Sequence, residues 1–224
     1  MIRLCNIEKS FPTASGRLPV LKGIDLHVER GEFVAITGPS GSGKSTLMAL
    51  LGCLDRPTSG QVLINGTDVS TLSDNDEADL RSRNIGFVFQ AFHLIQSLSI
   101  AENVEVPLFY AGVPHRERRE RARAALEKVG LGPRRGHKPP ELSGGEQQRA
   151  AIARALIREP EIILADEPTG NLDSKTCQQI MAIFEGVRDA GKTVLIITHD
   201  PNIAANAPRR IKLSDGRIEG DSKA

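Results

Sequence analysis

Two hydrophobic rhythms alternate along the chain. Short, nearly unbroken apolar runs occur at residues 33–37, 85–89, 162–165 and 193–198, as in Phe33-Val34-Ala35-Ile36 and Val194-Leu195-Ile196-Ile197. Runs this short, rich in β-branched residues and lacking a polar face, predict strands covered on both sides, the situation at the centre of a parallel sheet. Helical patterns lie between them. One follows a Gly-rich turn over Lys44–Leu51, one is amphipathic and charged over 116–129, one is rich in Ala and Arg over 145–158, and one covers Ser174–Asp189 behind Asp173. Strands alternating with helices predict an α/β core with a mainly parallel sheet. Residues 2–7 and 20–28 alternate loosely, and 60–65 adds a short strand before Asn65-Gly66. These predict an antiparallel β layer at the N-terminus. Residues 91–141 carry no strong strand and most of the helical charge, and are read as a helical subdomain inserted between sheet strands. The polar end, 220–224, is expected to fray.

Composition narrows the class. The chain has 224 residues, with 29 Lys and Arg against 28 Asp and Glu, a formal net charge of +1. That length supports one large domain with a substantial core, and the balance excludes a surface built throughout for nucleic acid. Aromatics are 4%, with no Trp, which argues against stacking platforms for single strands. The three cysteines, Cys5, Cys53 and Cys177, are scattered and form no C-x-x-C pair. They predict neither a zinc site nor a disulfide framework and fit a reducing compartment. No signal-peptide core and no apolar run of the length a membrane span needs is expected.

The strongest chemical signal is Gly38-Pro39-Ser40-Gly41-Ser42-Gly43-Lys44-Ser45-Thr46, a G-x-x-x-x-G-K-[ST] loop between a predicted strand and a predicted helix. Its glycines let backbone N–H groups turn toward phosphate oxygens, and the helix N-terminus adds partial positive charge. Lys44 brings a full charge to the β- and γ-phosphates, and the Ser45 hydroxyl is placed to ligate Mg²⁺. A second signal is the apolar run that ends in Asp166-Glu167. Asp166 can hold Mg²⁺ through its water shell, and Glu167 can take a proton from an attacking water. A third is Leu142-Ser143-Gly144-Gly145-Glu146, a second helix N-terminus suited to an anion. Taken alone it reads first as an ordinary capping box, with Ser143 as N-cap and Glu146 three residues on; the surrounding order of motifs decides otherwise.

In order, these motifs with Phe89-Gln90, Asn171-Leu172-Asp173 and Thr198-His199-Asp200 resemble the ATP-binding cassette (ABC) ATPases along essentially the whole chain. The resemblance implies a P-loop NTPase core over 1–90 and 142–224, with 91–141 as the helical subdomain, all within a single ABC ATPase domain over 1–224. It implies that Gln90 senses the metal and the γ-phosphate, that His199 closes over the γ-phosphate, and that Asp173 spans a dimer interface. It also implies an aromatic that stacks on adenine. Phe11 in Lys9-Ser10-Phe11 occupies that place, its competing reading being an ordinary core residue. Residues 51–60, 102–108 and 168–174 look like the lipoprotein-release and macrolide-export branch (LolD/MacB type). That likeness implies a bacterial homodimer holding two ATP and Mg²⁺ between the P-loop of one subunit and Ser143–Gly145 of the other. The partner would be a separate membrane permease with a large extracytoplasmic domain, and the ATPase would sit peripherally on the cytoplasmic face of the inner membrane. No further regulatory domain and no nucleic-acid partner are expected. The competing readings are an ABC ATPase of DNA repair, chromosome organisation or translation, and a nucleotide kinase or GTPase. The first usually carries a coiled-coil insertion, zinc modules or paired cassettes, none of which is expected here. The second leaves the Leu-Ser-Gly-Gly-Glu segment and His199 without a task.

Overall fold

The computed structural model describes residues 1–14 and 16–223, and within them the strands divide between two sheets. The first is antiparallel, in the order β2-β1-β4-β5. It is formed by β1 (Ile2–Thr13), β2 (Gly16–Val28), β4 (Ser59–Ile64) and β5 (Thr67–Asp68). Ile2, Leu4, Ile7, Leu21, Ile24, Leu26, Val28, Val62 and Ile64 turn inward while their neighbours face out. This is the alternation of a half-covered sheet. Both long strands reach well past the sequence-predicted segments 2–7 and 20–28, because Lys9–Leu21 and Phe11–Leu18 pairing continues the hairpin toward its tip.

The second sheet runs β10-β9-β3-β8-β7-β6. Its members are β3 (Phe33–Thr37), β6 (Ile85–Phe89), β7 (Ile162–Asp166), β8 (Thr193–Ile197), β9 (Arg209–Ser214) and β10 (Arg217–Lys223). All neighbours are parallel except β10, which returns antiparallel on β9. The two faces sort by residue parity. Val34, Ile36, Ile162, Leu164, Leu195 and Ile197 pack with helix α1 (Lys44–Leu51) and the antiparallel layer. Phe33, Ala35, Ile163, Ala165, Val194 and Ile196 pack against α6 (Ser174–Asp189) and α7 (Pro201–Ala204). Cover on both faces is what makes these strands read as unbroken apolar runs.

Between β6 and β7 lie α3 (Ile100–Tyr110), α4 (His115–Lys128) and α5 (Gly144–Leu156). They share an apolar cluster that includes Ile100, Val104, Leu108, Ala122, Leu126, Ala150 and Ala153.

Three elements depart from the pattern-based reading. Helix α2 (Asp74–Asn84) has almost no apolar stripe. Its signals are electrostatic: Ser73 caps it, Asp74, Asp76 and Glu77 occupy its first turn, and Arg81 and Arg83 its last. Strands β9 and β10 have no counterpart in that reading. The expectation that 220–224 frays is corrected for the described part. Strand β10 continues to Lys223, and Asp221 takes two bonds of 2.8 and 2.7 Å from the Arg209 guanidinium, which also donates to the His27 carbonyl at 2.8 Å and to Glu32 at 2.7 Å. A bidentate pair anchored on a nearly buried Arg holds the strand. Ala224 lies outside the described residues.

Candidate functional site

Sheet register gathers the site. Phe89 pairs with Asp166, Asp166 with Ile197, and Ile197 with Ile36, so four parallel strands end in one row. The next residues, Gln90, Glu167, Thr198 and Thr37, emerge together at the carboxyl edge, where open α/β sheets bind ligands.

From β3 the chain enters the Gly-rich loop. Gly38 has φ 155°, and a Cβ there would stand 2.0 Å from the Leu213 carbonyl oxygen, so only glycine lets the loop lie against the β9–β10 turn. The Ser42 carbonyl accepts from Gly216 N–H at 3.1 Å on that turn. Gly43 caps α1 in a left-handed conformation with no side-chain cap and no acidic residue in the first turn. The first N–H groups of α1 therefore carry no side-chain partner and remain available to an anion. Lys44 Nζ donates to the Gly38 and Pro39 carbonyls at 2.8 and 2.9 Å, curling back over the loop. Pro39, Ser40, Gly41 and Ser45 are exposed, Thr46 is half-buried, and Ser42 is buried with its hydroxyl unpartnered.

Beside the loop, Asp166 ends β7 half-buried. Burial raises its carboxyl above the ordinary aspartate value, the Glu167 charge raises it further, and Lys44 opposes both. Glu167 sits at φ 44°, a strained backbone for a non-glycine residue. Its N–H donates to the Ile197 carbonyl at 2.9 Å. Its carboxylate accepts from the His199 backbone N–H at 2.9 Å and from Thr198 Oγ1 at 3.2 Å, and meets the His199 ring Nδ1 at 2.7 Å. A carboxylate, an imidazole and the Gly-rich loop thus meet at adjacent strand ends, the parts needed to bind phosphate, activate water and move a proton.

The remaining sequence-predicted residues form a separate face. Ser143 is the N-cap of α5, with a full capping box: Glu146 N–H to Ser143 Oγ at 3.3 Å, and Ser143 N–H to Glu146 Oε2 at 2.9 Å. The capping reading of this motif is therefore realised, and it leaves Ser143 exposed. A Cβ on Gly145 would stand 2.4 Å from Thr176 Cγ2, so glycine lets α5 approach α6. Asp173 caps α6, accepting from Thr176 Oγ1 at 2.6 Å and from the N–H groups of Lys175 and Thr176. These bonds, the Thr176 hydroxyl first, hold its carboxyl below the ordinary aspartate value. Gln90 Nε2 contacts Asn171 Oδ1 at 3.3 Å, joining the end of β6 to the segment that leads to Asp173. Ser143, Gly144, Gly145 and Asp173 accordingly cluster around Leu172 and Thr176, not around the Gly-rich loop of their own chain.

Phe11 is 38% exposed at the far end of β1, with Lys9 Nζ 5.0 Å from its ring centroid. The core reading of Phe11 is excluded: its ring is exposed, with Lys9 over one face. Lys9 is held by Asp55 at 2.6 Å and the Arg56 carbonyl at 2.7 Å, a support with no motif to announce it.

No group of three or more His, Cys, Asp or Glu that could hold a metal ion exists among the described residues. The residues expected to hold a metal offer one carboxylate (Asp166), one hydroxyl (Ser45, on α1) and one amide oxygen (Gln90). That set fits Mg²⁺, which keeps several waters and completes its shell with substrate phosphates, and not a metal needing a closed protein cage.

Comparison with known proteins gives the family and the fold. The family described as ABC transporter matches residues 21–170. An uncharacterized ABC transporter ATP-binding protein, YvrO of Bacillus subtilis, is 52% identical over all of this chain and 97% of its own length. The macrolide export ATP-binding/permease protein MacB of Salmonella typhimurium is 51% identical over 97% of this chain, which spans only 34% of MacB. Among solved structures, the ATP-binding cassette MJ0796, a dimer in a post-hydrolysis state bound to ADP and Pi, superposes with a TM-score of 0.92. It is 45% identical, covering 100% of this chain and 98% of that one.

Proposed function

The chain belongs to the ABC transporter family, and from that premise we propose that it is an ATP-hydrolysing transporter subunit working as a homodimer with the residue roles that follow. The observation that carries the reading is the meeting of the Gly-rich loop, Asp166, Glu167 and His199 at adjacent strand ends, while Ser143–Gly145 lie on another face. A chain built this way has half of each site. A second copy, facing it, supplies Ser143, Gly144 and Gly145 to close ATP against the first copy's loop, with Asp173 at the junction. The dimeric form of MJ0796 supports this arrangement.

In that site residues 38–46 cradle the phosphates with backbone N–H groups, and Lys44 neutralises the β- and γ-oxygens. Ser45, Asp166 and Gln90 would hold Mg²⁺, which when bound supplies charge neutralisation for the triphosphate. Glu167 accepts the proton of the water that attacks the γ-phosphorus. His199, already on the Glu167 carboxylate, contacts the transferring phosphoryl group, and Phe11 stacks on adenine. ATP and water become ADP and phosphate.

Among the described residues no helix is long and apolar enough to cross a membrane. The relatives named macrolide export ATP-binding/permease proteins support a permease as partner; we read it as one with a large extracytoplasmic domain, used for export or for lipoprotein- or macrolide-type force transmission. The chain would then act from the cytoplasmic face. Residues 91–141 are proposed as a helical subdomain that receives the permease, between Gln90 at one end and Ser143 at the other. Ile95, Phe109 and Tyr110 are exposed there, whereas Leu94 and Ile100 serve the local core. The relatives' transporter names leave the DNA-repair and translation alternatives without support.

Glu167→Gln tests the reading. Turnover should fall by about 10²–10⁴-fold with ATP binding kept, and an ATP-bound dimer should accumulate in size-exclusion chromatography. Near wild-type hydrolysis would remove Glu167 from the mechanism.

A further inference from the structure

The chemistry assigned above depends on Glu167, yet its backbone is the least comfortable at the site. Its φ of 44° places Cβ against its own peptide, and the residue that follows is Pro168. Strain of this kind persists only where the surroundings over-determine it. The Glu167 carboxylate is held by Thr198 and His199, and three further bonds restrain the backbone. Glu167 N–H donates to Ile197 on β8, the Glu167 carbonyl accepts from Gly170 N–H at 3.1 Å, and the buried Pro168 carbonyl accepts from Gln148 Nε2 at 2.7 Å.

The third restraint comes from outside the sheet. Gln148 lies on α5, one turn past Ser143, and is 0% exposed. A buried polar side chain ordinarily uses all its polar atoms. Gln148 uses one: its Oε1 is buried with no partner, while its amide spans to Pro168. The opposite amide orientation would set two oxygens against each other at 2.7 Å, so the orientation is decided by Pro168. A side chain that leaves one buried acceptor unsatisfied in order to make one bond is a poor stability device. The same helix carries a second such arm. Arg154, three turns on from Ser143, donates to the Phe92 carbonyl at 2.8 Å and also to the His93 carbonyl. Helix α5 therefore holds the chain just after Glu167 and just after Gln90, while its own first residues are those offered to the partner's nucleotide.

We propose that Gln148 is a positioning residue that fixes Glu167 through the Pro168 carbonyl, so that the placement of the catalytic carboxylate in one site is tied to the helix whose N-terminus closes the other. The proposal rests on the ATPase reading, and wild-type turnover together with its loss in Glu167→Gln checks that reading separately.

Gln148→Leu keeps volume, removes the donor, and also removes the orphan oxygen. Its thermal midpoint should stay within a few degrees of wild type, its KM for ATP should be unchanged, and its kcat should fall about 10- to 100-fold, the range for a slightly misplaced reacting group. Gln148→Glu sharpens the test. A protonated carboxyl can donate to Pro168 in place of the amide, and a carboxylate cannot. Burial of position 148 favours the protonated form. Activity relative to wild type at the same pH should therefore rise as pH falls. Wild-type kcat in Gln148→Leu would overturn the proposal. So would a loss matched by a collapse in thermal midpoint, or a Gln148→Glu variant as impaired as Gln148→Leu at every pH.

Discussion

Helices α1 and α5 both begin beside glycines, and both are proposed to face the nucleotide, but they are finished differently. Helix α1 starts at a left-handed Gly43 with no side-chain cap and no acid in its first turn. Helix α5 starts at Ser143 in a complete capping box with Glu146. An uncapped helix start is costly in isolation, because its first N–H groups lack partners. At α1 the deficit is the function: the groups that need partners are the ones a phosphate satisfies. At α5 the cap keeps the helix start stable on an exposed face, the face proposed above to meet the partner's nucleotide. The acids beside the two helices follow suit. Burial holds Asp166, near α1, above its ordinary value, whereas the two bonds from Ser143, first the backbone N–H and then the hydroxyl, hold Glu146 below its own.

The comparison can be broken most severely at Gly38. Gly38→Ala forces a Cβ into the Leu213 carbonyl at a φ that disfavours side chains. It should cost about 3 kcal/mol or more of stability, seen as a drop in urea midpoint, and should abolish ATP binding. A stable, ATP-binding variant would mean the loop can take another path.

Lys44→Ala comes next. Losing a charged donor to the phosphates should weaken ATP binding by about 10- to 100-fold in calorimetry, with the unliganded fold nearly as stable as before. At the other helix Ser143→Ala should do the converse: about 1 kcal/mol of stability lost with the cap, monomer affinity for ATP kept, and the ATP-driven dimer weakened in sedimentation. Equal loss of monomer affinity in both variants would erase the distinction between the helix starts.

The smallest effects are in pH dependence, and their signs are opposite. Glu146 has a lowered carboxyl, so its stabilisation is present above the ordinary glutamate value and lost as pH falls through the lowered one. Glu146→Gln should therefore cost a few tenths of a kcal/mol at neutral pH, discounted for exposure, and nothing in acid. Asp166 has a raised carboxyl, so its ionised form is disfavoured in the fold. Asp166→Asn should stabilise the unliganded protein at neutral pH, the gain shrinking as pH falls toward the ordinary aspartate value, while turnover is lost. Paired urea titrations across pH read both.

Legibility differed by element for physical reasons. The strands β3, β6, β7 and β8 and the helices beginning at Lys44 and Ser174 were readable because burial on two faces, or a capping residue, leaves a local mark. Helix α2 was hidden because it buries almost nothing and is held by charge at its ends and by Arg56, which bonds Asp74 at 2.8 Å and Glu77 at 2.8 Å. Strand β10 was hidden because its anchor, Arg209 on Asp221, is a pairing across strands of polar residues that look like a tail. At the site, Lys44, Asp166 and Glu167 stood in local motifs. Lys9, Gly216 and Gln148 did not, since each acts on a neighbour distant in sequence.

What the sequence by itself determined is therefore whatever depends on nearest neighbours: an apolar run that must be buried, a glycine loop that can turn its N–H groups inward, a Ser three residues from a Glu that can close a cap. Only the tertiary structure decided which ends meet. Parallel register set Gln90, Glu167 and Thr198 beside the Gly-rich loop, and the packing of Gly145 on Thr176 carried Ser143 to a different face. It also placed Gln148 under Pro168, twenty residues away, where a strained carboxylate needs a hold that no local pattern can supply.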